Sequence, residues 1–316
     1  MKKVLITGVS GYIGSKIAVA LIQDPTVERN AGIDIRPPRI QSEKLVFIQQ
    51  DIRAPLVDLM RIHQVDTVVH AAYVLLPIHD KALMQDINVG GTRNVLAASA
   101  ETGVGHLLYT SSTTAYGFHP DNDVPPTEDS PLRGNDDFTY AKNKKQIEAL
   151  LQAFVHEHSQ MAVTILRPCF VVGPGFDNPL SRYLRKPMVF LPRHTAEFQF
   201  VHEDDLLSAI LMCLEKRLPG IYNVAGAAVV TFPEMVRALG NKAVHLPLWL
   251  LYPATAVLWA LRARFMVEFP ASGLNLIRYP WIASSRKLTD ATGFVFKYDT
   301  RTAFADFARS VHFPSV

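Results

Sequence analysis

Three glycines near the start of the chain constrain its fold more than any other feature. Gly8, Gly11 and Gly14 lie in ITGVSGYIG, between an apolar segment that predicts a strand and a periodic segment that predicts a helix. Glycine at such a junction allows a tight turn and close approach of the backbone to a pyrophosphate at the positive end of the helix dipole. The spacing is GxxGxxG and differs from the GxGxxG of the standard dinucleotide-binding motif. It nevertheless predicts a dinucleotide site.

The first two-thirds of the chain alternates short apolar segments with amphipathic ones. The β-branched runs suit strands that are buried on both faces, and helices between them imply parallel strands. We therefore predict an α/β fold with a doubly wound, parallel, Rossmann-type sheet. The predicted strands are KKVLITG, AGIDI, LVFIQQ, VDTVVHAA, HLLYTSS and AVTILRP, and the predicted helices are 12–23, 81–101 and 139–158.

After Pro168 the pattern changes, because proline and glycine interrupt RPCFVVGPGFDNPL. We expect residues 1–168 to form a dinucleotide-binding domain, with residues 198–226 returning to it through the core strand GIYNVAG. Residues 169–197 and 227–316 should form a smaller, interleaved C-terminal substrate lobe.

Composition excludes several classes of function. With 48% apolar and 19% charged residues among 316, the chain is globular, and a net charge of +3 gives no reason to propose nucleic acid as a partner. Cys169 and Cys213 are the two cysteines, and no paired Cys/His spacing indicates a metal site. This usage fits a reducing cytoplasm. The N-terminal apolar run ends at Ile6, too early for a signal peptide.

Residues 246–261, LPLWLLYPATAVLWAL, carry no charge and are followed by Arg262 and Arg264. A membrane-spanning helix needs about 20 apolar residues, and Pro247 and Pro253 interrupt this shorter segment. We interpret it as a buried or pocket-lining helix. An interfacial membrane contact is the alternative.

Several residues at predicted strand ends are candidates for cofactor contacts. Asp34 lies about 20 residues after the glycine turn, where a dinucleotide's ribose 2′-hydroxyl is held. Its carboxylate would repel a 2′-phosphate and so favours NAD over NADP, although Arg36 could soften that preference. Asp51 is placed to touch the adenine. Ala71 and Ala72 are small enough to let the cofactor approach the backbone.

Tyr140 and Lys144 share one face of the predicted helix 139–158. Alone, such a pair is typical of an ordinary helix surface. The surrounding motifs change that interpretation. Along the chain the sequence contains, in this order, GxxGxxG, DIR, HAA, NVGGTRNVLAA, SSTTAYG, YAKNK, LRP and FVHEDD. Together they resemble the extended short-chain dehydrogenase/reductases, the NAD-dependent epimerase/dehydratase family, over nearly the whole chain.

The resemblance implies three catalytic residues. Ser112, four residues before Tyr116, would hydrogen-bond the substrate oxygen, Tyr140 would exchange a proton with it, and Lys144 would hold the nicotinamide ribose. The Lys144 ammonium and the positive nicotinamide should both favour the phenolate of a side chain whose pKa is ordinarily about 10. Asn88 matches a family asparagine that is as consistent with a structural role as with catalysis. The predicted cofactor contacts are Gly8, Gly11, Tyr12, Ile13, Gly14, Asp34, Ile35, Asp51, Ile52, Ala71, Ala72, Asn88, Tyr140, Lys144 and Pro168.

Departures from the family pattern concern the substrate. Thr113 and Thr114 occupy positions where 4,6-dehydratases carry an acidic pair. Phe170 and Phe198 replace an asparagine and a diphosphate-binding arginine that are usual in nucleotide-sugar epimerases. Burying a diphosphate against phenylalanine without a cation is costly. A substrate less polar than a nucleotide sugar is therefore favoured, although Arg182, Arg185, Arg193 or Arg278 could supply the cation. The predicted substrate contacts are Ser112, Thr113, Phe170 and Phe198.

We predict an NAD-dependent oxidoreductase or epimerase that transfers a hydride between a secondary alcohol, or its ketone, and nicotinamide. A nucleotide-sugar epimerase with transient oxidation is one alternative, and a non-enzymatic NAD-binding regulatory protein is another, although retention of the catalytic set argues against the latter. His202, Asp204, Asp205 and Cys169 are interpreted as structural. Helices 81–101 and 139–158 should form a homodimer, a prediction that rests on the resemblance and on Leu150, Leu151 and Phe154.

The Asp34 hypothesis makes a direct prediction about cofactor choice. The unmutated chain should bind NAD more tightly than NADP, and Asp34→Ser should narrow the difference because it removes the charge facing the 2′ position. Titration calorimetry with both cofactors measures this, and equal affinities in the unmutated chain would contradict it.

Overall fold

The computed structural model describes residues 2–75, 80–263, 266–267 and 269–312. The strands are β1 Lys2–Thr7, β2 Val27–Asp34, β3 Leu45–Gln49, β4 Thr67–His70, β5 His106–Thr110, β6 Ala162–Pro168, β7 Phe170–Val172, β8 Met188–Pro192, β9 Glu197–Phe198, β10 Phe200–His202, β11 Gly220–Val224, β12 Val230–Thr231 and β13 Lys242–Leu246. The helices are α1 Tyr12–Gln23, α2 Val57–Ile62, α3 Lys81–Gln85, α4 Gly91–Thr102, α5 Thr139–Glu157, α6 Pro179–Leu184, α7 Glu203–Lys216, α8 Phe232–Ala238, α9 Leu248–Ala260, α10 Asn275–Arg278, α11 Arg286–Thr292 and α12 Thr300–His312.

The main sheet has seven strands in the order β11-β6-β5-β4-β1-β2-β3. The pairs from β3 through β6 are parallel, and their order is that of a Rossmann sheet. The predicted fold class is confirmed. The strand order reverses between β1 and β4, and ligands of such sheets bind beyond the carboxyl ends of the strands at that reversal. The glycine turn follows β1 directly.

The chain divides into two compact units. The first unit comprises residues 1–111, 143–167 and 207–222, and the second comprises residues 112–142, 168–206 and 223–316. Residues 112–142, 198–206 and 223–226 thus pack with the second unit, whereas the sequence-based division assigned them to the first. The domain boundaries stay a prediction, because packing does not show which segments fold independently.

The second unit is built around short strand pairs and an aromatic core. β10 pairs with β7 and β13 with β8 in parallel, and β12 pairs with β9 antiparallel. The rings of Phe198, Phe200, Phe232 and Trp281 are buried together. Their edge-to-face and tilted arrangements, with centroids about 5 Å apart, suit the ring quadrupoles.

The predicted helix 81–101 has three parts, because a π-helical turn, Asp86–Gly90, separates α3 from α4. Within that turn the buried Asn88 amide accepts from the Val74 N–H at 2.8 Å and donates to the Val74 carbonyl at 3.2 Å. This exchange supports the structural interpretation of Asn88. Leu151 and Phe154, which motivated the predicted homodimer, are buried within the first unit, so the dimer stays a prediction.

The interpretation of residues 246–261 as a buried helix is wrong for most of α9. Only Leu251 and Thr255 of α9 are buried, and Trp249 is 77% exposed. The proline at position 253 lies inside the helix without ending it. A search of the described residues finds no helix of sufficient length and apolarity to cross a membrane.

A buried ion pair joins α5 to β6 inside the first unit. The Arg167 guanidinium donates to the Glu148 carboxylate at 2.6 Å and 2.8 Å, and both side chains are almost completely buried. The Ser111 hydroxyl donates to the same carboxylate at 2.6 Å. Both oxygens of the carboxylate thus accept hydrogen bonds, and such partners are what makes a buried charge tolerable.

Removing one member of the Glu148–Arg167 ion pair should therefore greatly reduce the stability of the fold. We expect Glu148→Ala to reduce the free energy of unfolding by about 3–5 kcal/mol, since it leaves the Arg167 charge buried without its counter-ion. The control is Glu101→Ala, which removes an exposed pair with Arg61 at 2.9 Å and should cost about 1 kcal/mol or less. Urea unfolding measures both, and similar small losses would contradict the assignment.

Candidate active site

The glycine turn leaves no room for side chains. A Cβ added to Gly8, whose φ is +73°, would lie 2.7 Å from the Ala72 backbone, and one added to Gly14 would lie 2.0 Å from the Gly8 carbonyl oxygen. The Gly11 N–H donates to that oxygen at 2.9 Å, and Gly11 is the N-cap of α1. The bare backbone before the start of α1 fits a pyrophosphate.

Asp34 is held beside this turn. Its carboxylate accepts from the Ser10 N–H at 3.1 Å and from the Arg36 N–H at 3.2 Å. The Ser10 hydroxyl in turn donates to the Arg36 carbonyl at 2.5 Å. Ser10 was not predicted from the sequence. Tyr12, Ile13 and Ile35 all retain exposed surface beside these residues.

Further residues that were predicted to contact the cofactor follow strands β3 and β4. The Asp51 carboxylate binds the Arg53 guanidinium at 2.7 Å, and this hydrogen bond lowers the pKa of Asp51. Ile52 is buried beside it. The N–H groups of Ala71 and Ala72 donate to Thr7, to its carbonyl at 3.2 Å and to its hydroxyl at 3.3 Å. Thr7 thus fixes the end of β4 against the end of β1.

His70 belongs to a buried chain that the sequence did not indicate. Its Nδ1 lies 2.7 Å from the Thr7 hydroxyl and its Nε2 lies 2.9 Å from the Thr92 hydroxyl, which donates to the Asn88 carbonyl at 2.6 Å. Since the Thr92 proton is used, Nε2 carries the ring proton. Burial, with a smaller effect from the positive charge of Lys144, lowers the pKa of His70 to about 3. The ring is neutral and structural.

Lys144 of α5 is buried in the first unit. Its ammonium donates to the Tyr109 hydroxyl and to the Thr110 carbonyl, both at 2.9 Å, and lies 4.1 Å from the centroid of the Tyr73 ring. Burial lowers the pKa of Lys144 to about 7, and the negative charge of Glu148, one helical turn later, opposes that shift. The proposed ribose-binding amine is therefore close to its titration point.

Three hydroxyls cluster in the second unit. The Thr114 hydroxyl donates to the Ser112 hydroxyl at 2.6 Å, and Ser112 caps the 3₁₀ turn Thr113–Tyr116. Burial of its hydroxyl raises the pKa of Tyr140, and side-chain hydrogen bonds with Ser112 and Thr114 oppose part of that rise. In the protein alone the direction is opposite to that expected from the sequence. A lowering by the positive nicotinamide stays a prediction for the complex.

The predicted substrate contacts differ in how they are placed. Ser112 is in the hydroxyl cluster, and the Thr113 hydroxyl accepts from the Trp281 indole N–H at 2.6 Å and donates to the Pro168 carbonyl at 3.4 Å. Phe170 is half-buried. Phe198 has no exposed surface, because its ring is enclosed by the aromatic core. This packing gives Phe198 a structural position in the protein alone, and its contact with a substrate stays a prediction.

Two of the arginines suggested as diphosphate ligands are engaged elsewhere. Arg182 pairs with Asp177 at 3.3 Å, and Arg185 donates to the Phe176 carbonyl at 2.9 Å. The Arg278 guanidinium lies 4.9 Å from the Tyr279 ring centroid. These three arginines thus have separate partners, and their contacts do not bring them together as a diphosphate-binding cluster.

The residues that were interpreted as structural from the sequence include His202, Asp205 and Cys169. His202 stacks on Tyr298 with centroids 3.8 Å apart, and the Asp205 carboxylate accepts from the N–H groups of Lys297 and Tyr298 at 2.9 Å and 3.0 Å. Burial raises the pKa of the Cys169 thiol to about 12, so it is a poor nucleophile at neutral pH. Within the part of the chain that the structure describes, no three or more His, Cys, Asp or Glu side chains form a metal-binding group.

The lowered pKa of Lys144 predicts a pH dependence of stability. An unfolded lysine holds its proton up to about pH 10.4. Between its native pKa of about 7 and that value the unfolded chain binds more protons, so this group makes the stability rise with pH. The rise from pH 7 to pH 9 should not exceed about 2.7 kcal/mol. Lys144→Met should reduce the slope, whereas the exposed neighbour Lys145→Met should not. Urea unfolding at both pH values without cofactor is the measurement, and equal slopes would contradict it.

Comparison with known proteins identifies the family to which this chain belongs. A family model described as "NAD dependent epimerase/dehydratase family" matches residues 4–225. An uncharacterised protein of Mycobacterium tuberculosis is 28% identical over 321 residues, which cover 98% of this chain and 84% of that protein. The N-acetyl-alpha-D-glucosaminyl-diphospho-ditrans,octacis-undecaprenol 4-epimerase of Escherichia coli O157:H7 is 33% identical over 175 residues, covering 54% and 49%. The UDP-glucose 4-epimerase of Thermotoga maritima, solved with UDP-glucose, has the same fold, with a TM-score of 0.77, 18% identity and 98% of both chains covered. The chain belongs to the NAD-dependent epimerase/dehydratase family, and its cofactor is NAD.

Proposed function

We propose that this enzyme oxidises a secondary alcohol to its ketone, or reduces that ketone, on a substrate less polar than a nucleotide sugar. The observation that carries the proposal is the buried hydroxyl cluster of Ser112, Thr114 and Tyr140. A substrate hydroxyl that joins this cluster finds both a hydrogen-bond donor and a proton acceptor. Lys144, one helical turn after Tyr140 in α5, would hold the nicotinamide ribose.

The proposed reaction moves one proton and one hydride. Ser112 holds the substrate oxygen, and Tyr140 takes the proton when the O–H bond of the alcohol breaks. When bound, NAD would supply the hydride acceptor, so loss of a hydride with its electron pair from the same carbon would leave the ketone. Tyr140 returns the proton in the opposite direction. Since burial disfavours its charged form in the protein alone, Tyr140 needs a positive charge near its hydroxyl to act as a base.

Three observations support a weakly polar substrate. The position of the usual diphosphate-binding arginine is occupied by the buried Phe198, and Arg182 and Arg185 are engaged elsewhere. A small pocket in the second unit is lined by Phe118 and Trp281 together with His119, Asn122 and Asp123. No lysine or arginine is among the described residues that line it, so it offers a diphosphate no fixed cation. The name of the E. coli relative specifies a sugar that is joined through a diphosphate to undecaprenol. A hydrocarbon carrier in place of a nucleoside would suit these aromatic surroundings, whereas the diphosphate of such a substrate would still need a cation, for which Arg193 and Arg278 are the remaining candidates.

A nucleotide-sugar epimerase is the second candidate. It is favoured by the fold shared with the Thermotoga enzyme that was solved with UDP-glucose. In an epimerase the ketone would turn within the site and take the hydride back on its other face, so the cofactor would show no net change.

A substrate screen separates the two candidates. Secondary alcohols, polyprenyl-diphospho-sugars and nucleotide sugars are incubated with the enzyme and NAD, and both reduced nicotinamide and the product are measured. A released ketone with stoichiometric NADH supports an oxidoreductase. Inversion of a sugar carbon without net NADH supports an epimerase, and turnover of nucleotide sugars alone would contradict the proposed substrate class.

Tyr140→Phe tests the proposed acid–base role. It removes one oxygen that the proposed mechanism requires during proton transfer, so turnover should fall by roughly 10²- to 10⁴-fold with NAD affinity nearly unchanged. The control is Tyr222→Phe, which removes a buried hydroxyl that donates to the Pro219 carbonyl and should leave turnover nearly intact. Near-full turnover of Tyr140→Phe on a verified substrate would contradict the acid–base role of Tyr140.

A further inference from the structure

We propose that the second unit docks on the surface of a bilayer that contains anionic lipids. The docking surface consists of the exposed face of α9 and the adjoining residues Met188, Phe190, Leu261 and Met266. We call it the α9 surface.

The exposed face of α9 is almost entirely apolar. Leu251 and Thr255, four residues apart, are buried, and Leu248, Ala256, Leu258 and Trp259 are half-buried, so the remaining residues form the exposed face of the helix. Trp249, Tyr252 and Val257 are among the exposed side chains. Soluble helices place charged or polar residues on the face that meets water, and α9 has no charged residue at all.

Neighbouring elements extend this apolar area. α9 packs beside β8, whose Met188 and Phe190 are exposed on alternate positions. Leu261, 72% exposed, ends the helix, and the exposed Met266 follows in the chain. Scattered exposed apolar residues need no explanation, but a continuous group of large ones marks an interaction surface.

Basic residues border the α9 surface. The segments that build it, residues 186–192 and 242–263, contain Lys186, Lys242 and Arg262 and no aspartate or glutamate. Asp177, Glu197 and Glu234 lie outside these segments, and Asp177 pairs with Arg182. Lys242 pairs across the strands with Met188, the Lys186 ammonium donates to the Met266 carbonyl at 3.0 Å, and Arg262 follows α9 directly.

This combination of apolar and basic residues fits a bilayer surface better than a second copy of the chain. Two copies joined through the α9 surface would bring like charges together. An anionic bilayer instead offers hydrocarbon to Trp249 and Leu261, and negative headgroups to the cations. With 13 residues, α9 is about 20 Å long, too short to cross a core of about 30 Å, so it would lie in the plane of the interface. Trp249 and Tyr252 are of the residue types that prefer this zone.

Vesicle sedimentation with the full chain tests the proposal. Vesicles of phosphatidylcholine alone are compared with vesicles in which about one third of the lipid is phosphatidylglycerol. The chain should partition to the anionic vesicles about 10-fold more strongly or better, and high salt should reduce this binding. Failure to bind anionic vesicles would overturn the proposal.

Matched variants locate the contact. Trp249→Ser with Leu261→Ser should reduce partitioning about 10-fold or more, because both lose apolar surface that enters the interface. Ile62→Ser with Val295→Ser makes the same kind of change at residues that are 76% and 84% exposed elsewhere, and should leave partitioning unchanged. Lys242→Glu with Arg262→Glu should weaken binding to anionic vesicles only. NAD affinity confirms that each variant is folded.

Two results would count against the α9 surface as a membrane contact. One is equal loss of partitioning in the control and the α9 variants. The other is a dimer, seen by sedimentation velocity without lipid, that Trp249→Ser with Leu261→Ser dissociates. Because vesicle binding needs no substrate or turnover, its failure leaves the proposed reaction untouched, and failure of the reaction leaves vesicle binding untouched.

Discussion

Close packing of bare backbone at Gly8 and Gly14 is the constraint on which the cofactor side depends. Because neither residue has a Cβ, α1 begins directly against the end of β1, and the turn lies against Ala72 beyond β4. This close packing positions the side chains and backbone groups that surround the turn. Ser10 in the turn holds the Asp34 carboxylate, and Thr7 at the end of β1 holds both β4 and the His70 ring. A methyl group at either glycine would displace all of these together.

The buried polar groups of the two units have different electrostatic states. His70 is held neutral, Glu148 is paired with Arg167, and Lys144 titrates near neutrality. In the second unit, burial raises the pKa of Tyr140. The protein alone therefore does not hold a phenolate in readiness. In the proposed mechanism the base forms only when a positive nicotinamide is present, which would couple proton transfer to cofactor binding.

Sequence periodicity and spacing predicted the sheet, the glycine turn and the bounds of α1 and α5, because these depend on local chain preferences. They did not predict the bonds between residues that are distant in the chain, such as Thr7 with His70 or Thr113 with Trp281. These depend on tertiary packing. The same limit explains the error over α9. An apolar composition shows that a segment avoids water, but the fold decides whether the protein itself or another surface covers it.

The low water solubility of the proposed substrate class links it to the α9 surface. A substrate that carries a hydrocarbon chain is held in a bilayer, so an enzyme acting on its sugar or alcohol must work at the membrane surface. Docking by a short in-plane helix with flanking cations would raise the local concentration of such a substrate without anchoring the enzyme permanently. A nucleotide sugar is dissolved in water, and turnover of it would gain nothing from vesicles. Stimulation of turnover by anionic vesicles therefore connects the two proposals, while each keeps its own separate test.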